Sequence, residues 1–162
     1  LVKRALTSTK LLLTIINDIL DFSKIEAGML SFEEKAFDIY QVAENIISDL
    51  NANAVEKGLS LSLHPDSLLH RQWLGDTVRV RQVILNLVSN AIKFTHQGHV
   101  RIFLKSEHST LIVVVQDTGI GMSEEAVTRL FTRFQQADKS TTRQYGGTAL
   151  GMAMTTRMVD LM

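Results

Sequence analysis

The 162-residue sequence contains no cysteine, which excludes disulfide bonds and thiol chemistry and is compatible with a reducing compartment. Its formal net charge is zero, from 17 basic and 17 acidic residues, so no overall field attracts nucleic acid or an anionic membrane. No apolar run approaches the roughly 20 residues that span a bilayer, and we expect no signal peptide. Because the first residue is Leu1 rather than Met, we expect a piece of a longer chain.

Proline is also scarce, with one residue, while the 45% hydrophobic fraction supports a folded domain. Residues 1–28 carry an apolar stripe at helical spacing that no proline or glycine interrupts before Gly28. A long helix of this kind needs a partner, either a coiled-coil or bundle neighbour or the surface of its own domain. The stripe consists of Leu12, Ile15, Ile16, Ile19, Phe22 and Ile25.

The rest of the chain alternates helix and strand signals. The predicted elements are an extended segment over 29–39, a helix over 38–57, a strand over 59–63, a helix over 76–94, an antiparallel pair of strands over 99–107 and 109–117, and helices over 123–130 and from residue 148. Helices that alternate with a mostly antiparallel sheet predict an α+β fold, a two-layer α/β sandwich.

Two asparagines stand four residues apart in the middle of the helix over 76–94, although asparagine is a mediocre helix former. They belong to a polar stripe opposite the apolar face that Val83, Ile84, Leu87, Val88 and Ala91 form. The stripe consists of Asp76, Arg79, Gln82, Asn86, Asn90 and Lys93. Amide oxygens suit Mg²⁺, and a lysine one turn further on suits a phosphate group.

Two glycine-containing segments complete the candidate chemistry. In DTGIGM, the carboxylate of Asp117 stands beside Gly119 and Gly121, which let the backbone approach a flat ligand closely. In GGTALGM, residues 146–152, glycines and the amides that open the last helix form a site for phosphate oxygens. Taken singly, each feature also has a purely structural interpretation: a turn, a flexible connector, or an asparagine pair that caps neighbouring loops.

In order and spacing, these segments resemble the kinase core of sensor histidine kinases, and most of all the hybrid type that also carries receiver domains. The matching stretches are NDILDFSKIEAG with the second helix of the dimerisation and phosphotransfer bundle, GDTVRVRQVILNLVSNAIKFT with the N box, DTGIGM with the first glycine box, LFTRFQQAD with the phenylalanine box, and YGGTALGMAM with the second glycine box. Four ordered boxes over essentially the whole chain make the resemblance specific.

The resemblance implies the Bergerat, or GHKL, ATP-binding fold over residues 29–162, preceded by a bundle helix over residues 1–28. It implies a protein-histidine kinase that transfers the γ-phosphoryl group of Mg-ATP to a histidine on a bundle helix outside this sequence. It also implies a homodimer through the first helix, and a response regulator or internal receiver domain as partner. By the same resemblance we expect a cytoplasmic module of a membrane-anchored bacterial sensor in a phosphorelay.

The resemblance also assigns roles to individual residues. Asn90, helped by Asn86, holds Mg²⁺, Lys93 neutralises phosphate charge, and Asp117 accepts a hydrogen bond from the adenine amino group. Asn86 and Lys93 are the expected catalytic residues. The remaining nucleotide-binding residues are Phe94 on the base, Gly119 and Gly121 beside it, Arg143 in the lid, and Gly147, Thr148 and Gly151 in the phosphate cradle.

Two departures from the family pattern leave alternatives. Ala149 stands where the second glycine box usually has glycine, which favours a degenerate pseudokinase that regulates a partner kinase. No histidine lies in a phosphoacceptor context, so we expect this stretch alone not to autophosphorylate. A GHKL-type ATPase is the other alternative, but Asn86 stands where such ATPases have a water-activating glutamate, and an amide is no general base.

Overall fold

The computed structural model describes residues 13, 16–17, 19–21, 23–24, 27–29 and 31–125. The chain divides into two compact units. One comprises Leu1–Ser31 and Glu125–Leu161, and the other comprises Phe32–Glu124 with Met162. The assignment of residues 1–28 and 29–162 to two domains stays a prediction.

In the first unit, the described residues from Leu13 to Lys24 are helical. The helix ends in a turn in which the Ala27 amide donates to the Ser23 carbonyl at 3.0 Å, and Gly28 has a positive φ of 67°. Ile16 and Ile19 of the predicted stripe are 43% and 49% exposed. None of the helices in the described part of the chain is long and apolar enough to cross a membrane.

Between residues 35 and 117, the described part of the second unit forms two helices and five strands. They are β1 (Lys35–Asp38), α1 (Ile39–Glu56), β2 (Ser60–Pro65), β3 (Gln72–Gly75), α2 (Thr77–Phe94), β4 (His99–Glu107) and β5 (Thr110–Asp117). The short strands β1 and β3 form an antiparallel pair, and the larger sheet has the order β2-β4-β5. Its strands β4 and β5 are antiparallel and turn at His108, which has a positive φ of 53°.

The α+β sandwich is therefore confirmed, with two differences in its sheets. Strand β3 was not predicted, because four residues are too few to show a clear alternation of apolar and polar side chains. Strand β2 pairs with β4 in parallel, from Ser60 opposite His99 to Pro65 opposite Leu104. Parallel neighbours need a long crossover, and here it contains both β3 and α2.

The core lies between the two helices and the larger sheet. Val100, Ile102 and Leu104 alternate along β4 and are fully buried, as expected for a strand with one face on the core. Ile46 of α1 and Val88 of α2 are also fully buried. Each such side chain contributes roughly 1.5–3 kcal/mol relative to an exposed position. Of the predicted apolar face of α2, only Leu87 is half-buried rather than buried.

Aspartates begin both helices. Asp38 caps α1 by accepting from the amides of Tyr40 at 2.9 Å and Gln41 at 3.2 Å. Asp76 caps α2 by accepting from the Arg79 amide at 3.1 Å, and its second oxygen accepts from the Glu33 amide at 3.1 Å. Asp76 is only 9% exposed, so this member of the predicted polar stripe has a structural role at the helix start.

Candidate functional site

The loop DTGIGM lies against the C-terminal end of α2. The Ile120 amide donates a hydrogen bond to the Phe94 carbonyl at 3.3 Å. A Cβ atom on Gly119 would lie 2.5 Å from that carbonyl oxygen and 2.8 Å from Asp117 Oδ1, closer than real Cβ contacts allow. Gly119 is therefore needed for the close approach of loop and helix. The sequence predicted this glycine only as a neighbour of the base.

Asp117 ends β5 and is exposed. Its Oδ1 accepts a hydrogen bond from the Gly119 amide at 2.8 Å, which is the geometry of an Asx turn. An ionised carboxylate has about four lone-pair sites, so this bond orients the group and leaves acceptor capacity for a ligand donor. Two residues after Gly119, Gly121 has a positive φ of 67°, which glycine adopts without strain.

Thr118 fastens the same loop to the turn before β4. Its Oγ1 accepts from the His99 amide at 3.0 Å and donates to the Gln97 carbonyl at 3.1 Å, while its amide donates to the His99 carbonyl at 3.2 Å. A Cβ atom on Gly98 would lie 2.1 Å from Thr118 Oγ1, and Gly98 has a φ of +111°. Sequence reasoning missed this pair, for which the only signal is a glycine directly before a strand.

Asn90 lies in the last two turns of α2 and is half-buried. Its Nδ2 is buried and has no hydrogen-bond partner within the part of the chain that the structure describes. Buried polar atoms are nearly always paired, and an unpaired one calls for a ligand, ion or water. An amide offers a hard oxygen for Mg²⁺ and a donor nitrogen for a phosphate or water oxygen, so Asn90 fits both expected groups.

The other predicted residues of α2 lie on either side of Asn90. Asn86 is half-buried one turn earlier, and its backbone carbonyl accepts from Ser89 Oγ at 3.1 Å. Lys93 is exposed, and its ammonium group lies 5.4 Å from the ring centroid of Phe94, within cation–π range.

The structure thus brings together the end of α2 and the DTGIGM loop, with Phe94 at their contact. The predicted phosphate-side residues Arg143, Gly147, Thr148 and Gly151 lie outside the described residues. The roles of all the candidate residues stay predictions.

Two features of α1 lie apart from these residues. Arg71 forms a two-pronged ion pair with Asp38, with Nη2 and Nε at 2.7 and 3.1 Å from Oδ2. Hydrogen bonding from Arg71 holds the pKa of Asp38 below its usual value of 3.8. A surface groove of about 640 Å³ runs between α1 and β2, lined by residues such as Tyr40, Asn45 and Leu63. None of the candidate site residues borders that groove.

Comparison with known proteins finds a family match over the part of the chain that contains these candidate site residues. A family described as "Histidine kinase-, DNA gyrase B-, and HSP90-like ATPase" matches residues 75–162, which contain α2, β4, β5 and the DTGIGM loop. The chain is 44% identical over 160 residues to the sensor protein GacS of Pseudomonas syringae pv. syringae and 40% identical to hybrid signal transduction histidine kinase A of Dictyostelium discoideum.

These matches cover 93% and 94% of the chain but 17% and 8% of the relatives, so the chain spans less than a fifth of their length. Among solved structures, full-length ShkA in complex with AMPPNP has a TM-score of 0.79 at 29% identity. That match covers 93% of this chain and 31% of ShkA. Fold and sequence similarity therefore extend well beyond the matched family segment.

Proposed function

This chain belongs to the histidine kinase-, DNA gyrase B- and HSP90-like ATPase family, and we propose that it performs the ATP-dependent step of a two-component sensor histidine kinase. Its sequence is that of the ATP-binding catalytic part of such kinases. In the proposed reaction, the bond between the γ-phosphorus and the oxygen of the ADP leaving group breaks. A new bond forms between the γ-phosphorus and a ring nitrogen of an acceptor histidine, and the ring proton passes to solvent. We propose that this histidine lies outside residues 1–162.

The observation that carries this proposal is the contact between the DTGIGM loop and the end of α2. Because Gly119 has no side chain, the loop approaches the Phe94 carbonyl closely and Asp117 is held within the same small region. A carboxylate acceptor for the adenine amino group then lies at one end of the helix that carries Asn90 and Lys93. One helix and one loop can therefore hold both the base and the phosphate groups of a nucleotide.

Each side chain has a distinct task in the proposed site. The Asn90 amide oxygen would hold Mg²⁺ with help from Asn86, and Lys93 would offset the charge of the phosphate oxygens. Bound Mg²⁺ would supply electrostatic stabilisation of the charge that develops on the ADP leaving group. Asn86 cannot remove a proton from water at neutral pH, which suits transfer to a histidine rather than hydrolysis.

The remaining proposals rest on the resemblance of the sequence. Arg143, Gly147, Thr148 and Gly151 bind the phosphate groups, and Phe94 and Gly121 border the base. We propose residues 1–28 as a dimerisation helix that precedes the catalytic domain over 29–162 in the sequence. The full protein passes its phosphoryl group to a response regulator or receiver domain, with this part in the cytoplasm. Relatives named sensor protein and hybrid histidine kinase support this assignment.

The test has two parts. Titration calorimetry of the protein with ATP is expected to show binding in Mg²⁺ that weakens when EDTA removes the metal. The full-length protein, given ATP labelled at the γ-phosphate, is expected to acquire a phosphoryl group that is labile in acid and stable in base, as a phosphohistidine is. Absence of nucleotide binding would favour the pseudokinase, and sustained phosphate release without phosphohistidine would favour the ATPase.

A further inference from the structure

The last turn of a helix leaves four carbonyl groups without intrahelical partners, and in α2 each of them has one. The Ala91 carbonyl accepts from the hydroxyl of Thr95 at 2.7 Å, and the Phe94 carbonyl accepts from the Ile120 amide at 3.3 Å. The two between them, on Ile92 and Lys93, accept from one side chain that lies in a distant part of the sequence.

That side chain is Lys57. Its Nζ donates to the carbonyls of Ile92 at 2.8 Å and Lys93 at 2.9 Å, and a third acceptor, the Thr95 carbonyl, lies at 3.5 Å. A lysine ammonium has three donor hydrogens and no acceptor, so three carbonyls match its capacity. A positive charge here also interacts favourably with the negative end of the α2 dipole.

The backbone of Lys57 is fixed at the end of α1. The Gly58 amide donates to the Val55 carbonyl at 2.9 Å, and the Leu59 amide donates to the Ala54 carbonyl at 2.9 Å. These two bonds form a Schellman motif, which requires the positive φ of 69° that Gly58 has. Leu59 and Ala54 are both buried, so the motif is anchored in the core.

Lys57 also belongs to a closed circuit of contacts around the candidate site. Three residues after it, the Ser60 amide donates to the Gly98 carbonyl at 3.1 Å. The turn that contains Gly98 holds Thr118, and the next residues of the DTGIGM loop return to α2 through the bond from Ile120 to Phe94. The segment after α1 therefore joins the end of α2 to the turn that holds Thr118.

From this geometry we infer that Lys57 is a positioning residue of the nucleotide site, whose ammonium group fixes the last turn of α2 relative to the loop that carries Asp117. The inference rests on the proposed function for its effect on ATP. It assigns Lys57 no contact with the nucleotide, because its Nζ is bonded to backbone carbonyls. The lysine acts by setting the distance between Asn90 and Asp117.

The test replaces Lys57 with methionine, which keeps an unbranched apolar stem and removes the charge and all three donors. We expect Mg-ATP affinity to fall about three- to tenfold, which lies within the range by which residues outside a site modulate coupling. We also expect faster hydrogen exchange at the Ile120 amide in the ligand-free protein. The control is Lys105→Met, which removes the same charge from an exposed position on β4 and is expected to change neither quantity.

Unchanged affinity together with unchanged exchange at Ile120 would overturn the inference. So would a uniform rise in exchange that includes the buried β4 amide of Ile102, because a purely structural lysine would loosen the whole core. If Lys57→Met does not fold, Lys57→Gln, which retains one donor group, gives the same comparison. Failure of the unmodified protein to bind ATP would refute the proposed function, while exchange at Ile120 would still decide the role of Lys57.

Discussion

Among single atoms, Nδ2 of Asn90 is notable because it is buried without a hydrogen-bond partner within the described residues. An unsatisfied buried donor costs roughly 1–3 kcal/mol, and alanine is a better helix former than asparagine by roughly 0.7 kcal/mol. We therefore predict that the Asn90→Ala variant loses Mg-dependent ATP binding. Its melting temperature is expected to equal or exceed that of the unmodified protein. Titration calorimetry and scanning calorimetry of the same preparation measure the two effects.

The matched control is Asn53→Ala, which makes the same change at an exposed position of α1. It is expected to leave ATP affinity unchanged. Full ATP affinity in Asn90→Ala would remove Asn90 from the site. A large fall in its melting temperature would show that the amide stabilises the ligand-free protein instead.

A second residue-level prediction concerns the choice of base. Asp117→Asn keeps an acceptor oxygen but removes the negative charge, and loss of a charge-assisted hydrogen bond is expected to weaken ATP binding by roughly 1.5–3 kcal/mol. The unmodified protein is expected to bind ATP more tightly than GTP, because guanine carries an oxygen where adenine carries its amino group. Equal affinity for ATP and GTP, measured by competition, would contradict this role of Asp117.

At this scale, the sequence predicts residues by chemical type more readily than by contact. Asn90 and Asp117 could be proposed because an amide in mid-helix and a carboxylate beside glycines are chemically conspicuous. Thr118 and Lys57 could not, because what matters is which carbonyl their polar atoms reach. Those contacts depend on long-range packing, which no local pattern encodes.

Between elements, the contact of loop and helix at Gly119 leaves no room for a side chain. Gly119→Ala would place a Cβ 2.5 Å from the Phe94 carbonyl oxygen, so the loop must move. Overpacking of this kind costs about 1–3 kcal/mol. We predict a lower free energy of unfolding, measured in urea, and at least about tenfold weaker ATP binding, which corresponds to 1.4 kcal/mol.

Gly75→Ala is the comparison variant. Its Cβ would lie 3.5 Å from Phe37 Cε1, an ordinary van der Waals distance. This variant is expected to keep the affinity of the unmodified protein. If Gly119→Ala binds ATP equally well, the close approach of loop and helix has no part in nucleotide binding.

The ion pair at the start of α1 predicts a pH dependence. Because hydrogen bonding from Arg71 lowers the pKa of Asp38 below 3.8 in the folded state, its stabilisation is fully present above that value and is lost as pH falls through the lower folded pKa. Asp38→Asn keeps a helix-capping oxygen but loses the charge. The variant should be less stable than the unmodified protein at pH 7, with the difference shrinking below about pH 4.

Urea unfolding of both proteins at pH 7, 5 and 3 measures this difference. A gap that stays constant down to pH 3 would mean that the charge of Asp38 contributes nothing and that the substitution acts by another route. Arg71→Gln provides a second comparison, since it removes the partner and leaves the cap.

The elements themselves were largely predictable, because α1, α2, β4 and β5 carry clear periodic patterns. The start of α2 was also predicted, although Asp76 was placed in the polar stripe and not recognised as its cap. Two features were not predicted, namely strand β3 and the parallel pairing of β2 with β4. Short strands have little pattern of their own, and the choice of partner is made by the crossover through α2.

For the molecule as a whole, the main question is which reaction it performs, and Asn86 is the residue that tests it. Asn86→Glu places a carboxylate one turn before the proposed metal ligand, where it can orient and deprotonate water. We predict a modest rise in slow ATP hydrolysis, measured as steady-state phosphate release. Asn86→Gln is the control, because glutamine is as long as glutamate but has no basic group.

A rise in both variants would show that the size of the side chain matters rather than its basicity. No change in Asn86→Glu would mean that water has no access to the γ-phosphate at this position. The fold class and family were predictable at this scale because several ordered motifs agree. The choice between phosphoryl transfer and hydrolysis depends on the asparagine at position 86, where GHKL-type ATPases have a glutamate. A sequence pattern alone does not show how much that one carboxylate contributes.

The parallel pairing of β2 with β4 has a consequence for how the protein folds. Ser60 lies opposite His99, and β3 and α2 lie in the chain between them, so the larger sheet closes a long loop, and such non-local pairing is slow. Asn90 lies inside that loop and Asp117 at the end of the strand beyond it. The residues of the proposed site therefore come together only when this loop closes, and we expect bound nucleotide to slow unfolding more than it speeds folding.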